Sequence, residues 1–165
     1  MVDRWDPVNG NFPGYLGVPV AVEVEPIRTE RLALTMGQFR AFPGGFKSGL
    51  ITIARPGHSV SERGMNPQPE MGPGRLRLGL EFSDGRRGYP MFDRVQGAAF
   101  TIAHRGGGGS PFRIRNRLWI PAVPSPGPMD VVVAWADEGV PETRLSIPTK
   151  DIIEAISRVA PIWDE

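Results

Sequence analysis

The chain has 165 residues, 40% of them hydrophobic and 22% charged, which suits one globular domain. It contains no cysteine, so thiol catalysis, disulfides and cysteine-ligated zinc are excluded, and its 19 basic and 18 acidic residues leave a formal charge of +1. Its 21 glycines and 18 prolines punctuate short apolar runs, which points to many short strands and turns.

Residues 1–17 read as an irregular arm pinned by Trp5, Phe12, Tyr15 and Leu16. Val20, Val22 and Val24 then alternate with Ala21, Glu23 and Glu25, the pattern of a half-buried strand. Leu32, Leu34 and Met36 repeat it, and a Pro-Gly-Gly turn within Ala41–Phe46 leads to a third strand through Leu50–Ile53. Pro56–Gly74 has no periodicity and nearly every turn-forming residue type. A connection this long is usually either functional or disordered, and the expectation is a mobile loop.

Leu76, Leu78, Leu80 and Phe82 share one face of the next strand, and Asp84-Gly85 marks a hairpin turn. A poorly marked stretch through Tyr89 and Phe92 precedes a strand near Ala98–Arg105. After the glycine run, Phe112, Ile114, Leu118 and Ile120 form an apolar face opposite Arg113, Arg115, Arg117 and Trp119. Asn116 falls on the apolar side and needs a hydrogen-bond partner there. Pro121–Pro128 is a stiff crossing from one layer to another, because its prolines lack ladder donors. Met129–Trp135 reads as a buried strand and Glu142–Ile147 as a shorter one. Thr149 is the expected N-cap of a closing helix over 149–160, with Asp151 in its first turn and Pro161 as its stop.

These elements predict an all-β fold: a two-sheet antiparallel β-sandwich of eight or nine strands, jelly-roll or immunoglobulin-like, with one C-terminal α-helix. A barrel is the alternative. Residues 1–165 form a single domain in this reading.

The run Gly106–Ser110 resembles an artificial linker, but the residues beyond it are too few for a second core. It is not a Walker loop, since Ser110 is followed by Pro111 and a strand, with no lysine. The expectation is a flexible hairpin tip.

Catalytic chemistry finds little support. The two histidines, His58 and His104, lie in no metal-binding spacing, so no metal and no cofactor is expected. His58 near Ser59 and Ser61 sketches a nucleophile and base without any G-x-S-x-G setting. Glu23, Glu25, Glu81, Asp84 and Asp93 offer carboxylates whose separation the sequence does not give.

The distribution of charge is more informative. Residues 75–117 hold nine arginines against three acids, and residues 118–165 hold three bases against eight acids. Arg113, Arg115 and Arg117 share one strand face, so their guanidinium groups repel unless something negative lies opposite. The chain's own Asp137, Glu138 and Glu142, another copy of the chain, or a polyanion would serve. Binding candidates are therefore Arg105, Arg113, Arg115, Arg117 and Trp119. Trp5, Phe12, Tyr15 and Trp163 are candidates for a partner-facing aromatic surface.

The leading functional expectation is a non-enzymatic protein-interaction or assembly module using the arginine-rich face, with a protein partner or self-association. A small-ligand, carbohydrate-binding or hydrolytic sandwich with its site near residues 56–74 is the second reading. A polyanion or nucleic-acid binder is the third, weakened by the scarcity of aromatic residues among the arginines. No run is long and apolar enough to span a membrane and no leader pattern is visible, so the expected location is cytoplasmic.

The segment Leu118–Ile147, LWIPAVPSPGPMDVVVAWADEGVPETRLSI, preceded by the glycine run and followed by APIW, resembles a family of small β-rich proteins from high-GC Gram-positive bacteria. ALTMGQFRAFPGGF fits that family's early region loosely. The resemblance implies a standalone bacterial domain. It implies no activity and carries over no site residue.

Overall fold

The computed structural model describes residues 5–65, 67–91, 93 and 95–164. Phe92, in the poorly marked stretch, and residues 1–4 of the arm lie outside the described residues.

Among the described residues ten strands occur: β1 (Val18–Val20), β2 (Ile27–Arg28), β3 (Leu32–Phe42), β4 (Gly45–Ala54), β5 (Arg77–Glu81), β6 (Arg87–Pro90), β7 (Phe100–Ser110), β8 (Arg113–Ile120), β9 (Met129–Trp135) and β10 (Val140–Ile147). One helix, α1 (Lys150–Ser157), follows. The fold is all-β with a C-terminal helix, but the strands do not divide into two separate sheets. They form one, in the order β1-β3-β4-β8-β7-β6-β5-β9-β10, with β2 also paired to β3.

The continuity comes from β7. Its first three residues pair in parallel with β6, and from Ala103 onward it pairs antiparallel with β8. The sheet therefore curls into a half-barrel whose two halves close on one apolar core. Leu34, Phe46, Leu50 and Ile114 come from one half, and Leu78, Leu80, Val131, Val133, Leu145 and Ile147 from the other. The proline-rich crossing runs from β8 in the first half to β9 in the second. Helix α1 packs against β1, β3 and β4, with Ile152 and Ala155 buried.

Three strands each carry an extra residue: β10, between Val140 and Thr143, and β3 and β7. In β3 the pairing with β4 shifts between Gly37 and Arg40, and Gln38 there has φ 57°, the one positive value among the described non-glycine residues. In β7 the shift falls between His104 and Gly107, where Gly106 has φ 109°. Such bulges reverse the in–out alternation and re-aim neighbouring side chains. Thus Leu32, Leu34 and Met36 point inward before the bulge, and Phe39 and Ala41 after it.

Several sequence expectations need correction. The glycine run is not a hairpin tip. It is the second half of β7, and the turn is the pair Pro111-Phe112, since Ser110 pairs directly with Arg113. Phe112 consequently leaves the apolar face and is exposed. The Val20–Val24 alternation does set those side chains against the core, yet only Val18–Val20 finds a ladder partner. The 56–74 connection, which shows no periodicity in sequence, contains two 3-10 turns, Glu62–Gly64 and Pro69–Met71, and buries Val60. Thr149 sits at the N-cap position without capping. Its hydroxyl donates instead to the carbonyls of Ser125 (3.3 Å) and Gly127 (2.6 Å), tying the helix to the crossing. The helix ends at Ser157, before Pro161 is reached.

Candidate anion-binding face

The pleat of β8 sorts its residues into two sets. Ile114, Asn116, Leu118 and Ile120 turn to the core, while Arg113, Arg115, Arg117 and Trp119 turn to the outside. Across the sheet, Arg113 lies between Ile53 and Ser110, Arg115 between Ile51 and Gly108, and Arg117 beside Gly49. Glycines on the β7 flank, and Gly49 beside Arg117 on the β4 flank, leave the arginines room, while Ile51 and Ile53 line the rest of the β4 side. A groove of about 360 Å3 follows, lined by Gln38, Ile51, Gly107–Gly109 and the three arginines.

The β3 and β7 bulges frame this groove. The β3 bulge turns Gln38 outward, and Arg115 reaches across Gly49 to donate an Nη1 hydrogen bond to Gln38 Oε1 at 2.6 Å. A Cβ on Gly49 would sit 3.2 Å from the Cγ and Cδ of Arg115. The β7 bulge places Gly106 under Arg117, whose Nη2 lies 3.2 Å from where a Cβ would be. Arg115 and Arg117 thus diverge, one toward β3 and the other toward β7. None of the three arginines has a carboxylate within ion-pair distance among the described residues.

The chain's own acids, Asp137, Glu138 and Glu142, lie elsewhere. Glu138 accepts from the Ser61 amide and faces Arg31. Asp137 lies beside Gly74, and Glu142 lines a different groove, of about 380 Å3, over β5, β6, β9 and β10. In that second groove Arg87 and Arg144 share Glu81, and Arg144 also meets Asp130. Two of the three arginines lining that groove, Arg87 and Arg144, are thus compensated and Arg77 is not; among the described residues none of the three on β8 is. The remaining carboxylates do not gather either, because Glu25, Asp84 and Asp93 each hold their own arginine, Arg28, Arg86 and Arg75.

Trp119 departs from the sequence expectation. It shares the arginines' side of β8 but is only 1% exposed, since the N-terminal arm lies over it. Phe12 packs at 5.0 Å from its ring and 5.5 Å from Phe42, and the indole Nε1 donates to the Pro7 carbonyl at 2.8 Å. Gly10 crosses so close that a Cβ would fall 2.7 Å from the indole. Arg105 donates to the Asn9 carbonyl, so it holds the arm and does not join the groove. Beneath the arm, partial burial and then the charge of Arg105 push Lys47 below the ordinary lysine pKa.

The aromatic candidates separate in the same way. Phe12 is core, and Tyr15 is half-buried against Trp5. Trp5 (51%) and Trp163 (73%) are exposed, and the tail is joined to the arm by the Ile162 amide donating to the Gly14 carbonyl at 2.8 Å.

Asn116 finds the partners its position demands. Gly106 N–H donates to His104 Nδ1 (3.2 Å), which leaves the proton on Nε2 to meet Asn116 Oδ1 (2.8 Å). Asn116 Nδ2 then donates to the Gly64 carbonyl (2.8 Å). This inward chain fixes the β7 bulge to β8 and to the 56–74 connection. His104 is therefore a structural residue. His58 makes no side-chain hydrogen bond among the described residues, and the Ser61 hydroxyl accepts from the Arg63 amide. Among the described residues no three His, Cys, Asp or Glu side chains are placed to hold a metal, and no helix is long and apolar enough to cross a membrane. Comparisons with protein families, with curated proteins and with solved structures find no match to this chain.

Proposed function

We propose that the protein is a non-enzymatic interaction or assembly module, cytoplasmic in location, whose contact surface is the outer face formed by β3, β4, β8 and β7. One observation carries this reading: Arg113, Arg115 and Arg117 are exposed and adjacent, with no carboxylate of the described chain against them. Three like charges so placed lower their energy when an anionic surface covers them, and guanidinium forks match carboxylates bidentately. A protein partner fits better than single-stranded nucleic acid. Of the two aromatic residues flanking the arginine run, Trp119 is buried under the arm and offers no base a stacking surface, which leaves the single exposed ring of Phe112 in the turn.

The test uses poly-glutamate as probe and heparin as competitor class. Binding is measured at about 0.01 M and about 1 M salt, between which the screening length falls from about 30 Å to about 3 Å. The expected result is poly-glutamate binding at low salt that disappears at high salt and in the Arg113→Ala/Arg115→Ala/Arg117→Ala variant. A wild type that ignores poly-glutamate, or a triple variant that binds it unchanged, overturns the reading. Preference for heparin moves the partner class to polyanions.

A further inference from the structure

Strand edges without a ladder partner among the described residues occur at β1 and β2 (with the short stretch of β3 between them), at β10, at Arg77–Gly79 of β5 beyond its pairing with β6, and along the second half of β7. The first two are guarded. β1 has Pro19 at its centre and β2 is two residues long. β10 carries Pro141, exposed Glu142 and Arg144, and an irregular register between Val140 and Thr143. Proline, charge and irregularity are the usual means of keeping an edge from pairing. The open stretch of β5 is three residues long and carries exposed Arg77, whereas Gly107–Ser110, past the bulge at Gly106, carries neither proline nor charge. β6 accompanies β7 only as far as Ile102, opposite Pro90, and no other backbone among the described residues hydrogen-bonds across that side of β7 from Ala103 to Ser110. The space of one strand therefore continues where β6 stops.

We infer that this open edge takes an added strand from an extended acidic segment of a partner protein, steered by Arg113 and Arg117. The inference rests on the proposed role of the arginine face and names the shape of its partner. Adding a strand satisfies the free backbone groups of β7 and positions alternate side chains on the outer face. That strand would lie two spacings from β8, about 9.6 Å, with β7 between them. Ordinary side chains on β7 would block the way; glycines do not. Arg117 already extends over Gly106, and Arg113 stands opposite Ser110. The partner residues facing those two positions are four apart on an extended strand, so acids with that spacing meet both guanidinium groups. Arg115 is held in the opposite direction by Gln38 and contributes less.

The experiment uses the full chain and the synthetic peptide Thr-Glu-Val-Thr-Val-Glu-Thr, with its glutamates four apart. An isomer with glutamates three apart, hence on opposite faces, is the control. The peptide binds about tenfold more tightly than the isomer, the worth of one charge-assisted contact. N-methylation of one alternate set of peptide amides abolishes binding, and methylation of the other set does not. Amides of Gly107–Ser110 gain protection from hydrogen exchange, and Arg113→Ala and Arg117→Ala each weaken binding more than Arg115→Ala does. No binding, equal binding of the isomer, indifference to both methylation patterns, or absence of new protection overturns the inference. If poly-glutamate binding still depends on the arginines, strand addition alone has failed. If it does not, the reading of the face has failed with it.

Discussion

Trp119 and the three arginines before it occupy the same side of the same strand, yet one end of that face is core and the other is surface. Pleating points all four outward. Over Trp119 a second layer arrives from the N-terminus, with Phe12 edge-on to the indole, a hydrogen bond from Nε1 to Pro7, and Arg40 donating to the Leu16 carbonyl at 2.9 Å. Over Arg113–Arg117 no such layer exists among the described residues, and the glycines of β4 and β7 leave the guanidinium groups room to spread. On a curled sheet, "outward" is a direction and not an environment. What covers the face decides whether a residue stabilises the fold or awaits a partner.

The largest expected effect tests the covered end. Trp119→Ala removes a buried indole and costs about 3–5 kcal/mol. Chemical denaturation should show that loss, and limited proteolysis should open residues 5–17. A cost below about 1 kcal/mol would contradict the picture of an arm packed as core. Next comes the inward neighbour of the arginines. Asn116→Ala strips His104 of its acceptor and Gly64 of its donor, for a loss of about 1–3 kcal/mol by the same measurement. The smallest effect belongs to the open end. Arg113→Ala/Arg117→Ala should stay within about 0.5 kcal/mol of wild type and be the more stable of the two at low salt, because a like-charge repulsion is relieved. That advantage should vanish at high salt. A loss above about 1 kcal/mol would mean that these arginines already bind something within their own chain.

Much of this was readable from spacing alone. Leu78, Leu80, Val131 and Val133 alternate inward as their pattern requires, Asn116 needed and has partners, and the unbalanced arginine run marks the face that lacks compensating acids. The role of the glycines was not readable. A string of four suggests a loop because glycine favours none of the regular structures, and only the pairing with β8 makes it a strand. The β6 strand escaped notice for a related reason: four residues, one of them Pro90, give no alternation to detect, and its parallel partner lies ten residues away beyond a turn-rich segment. Trp119 looked like part of a binding surface because it keeps step with arginines. Gln38 offered no signal at all, since its outward aim depends on a bulge that no residue pattern announces.

Alternation with period two is a local property of an extended backbone, so the sides on which residues fall, the inward set of the core and the sharing of one side by three arginines follow from residue order. Coverage and pairing belong to the folded molecule. Pro7 meets Trp119 across 112 positions of the chain and Gln38 meets Arg115 across 77. Such contacts exist only once the sheet has curled. That closure puts the arm over the indole, leaves the guanidinium groups open, and ends β6 at Pro90, beside a β7 edge with no neighbour among the described residues.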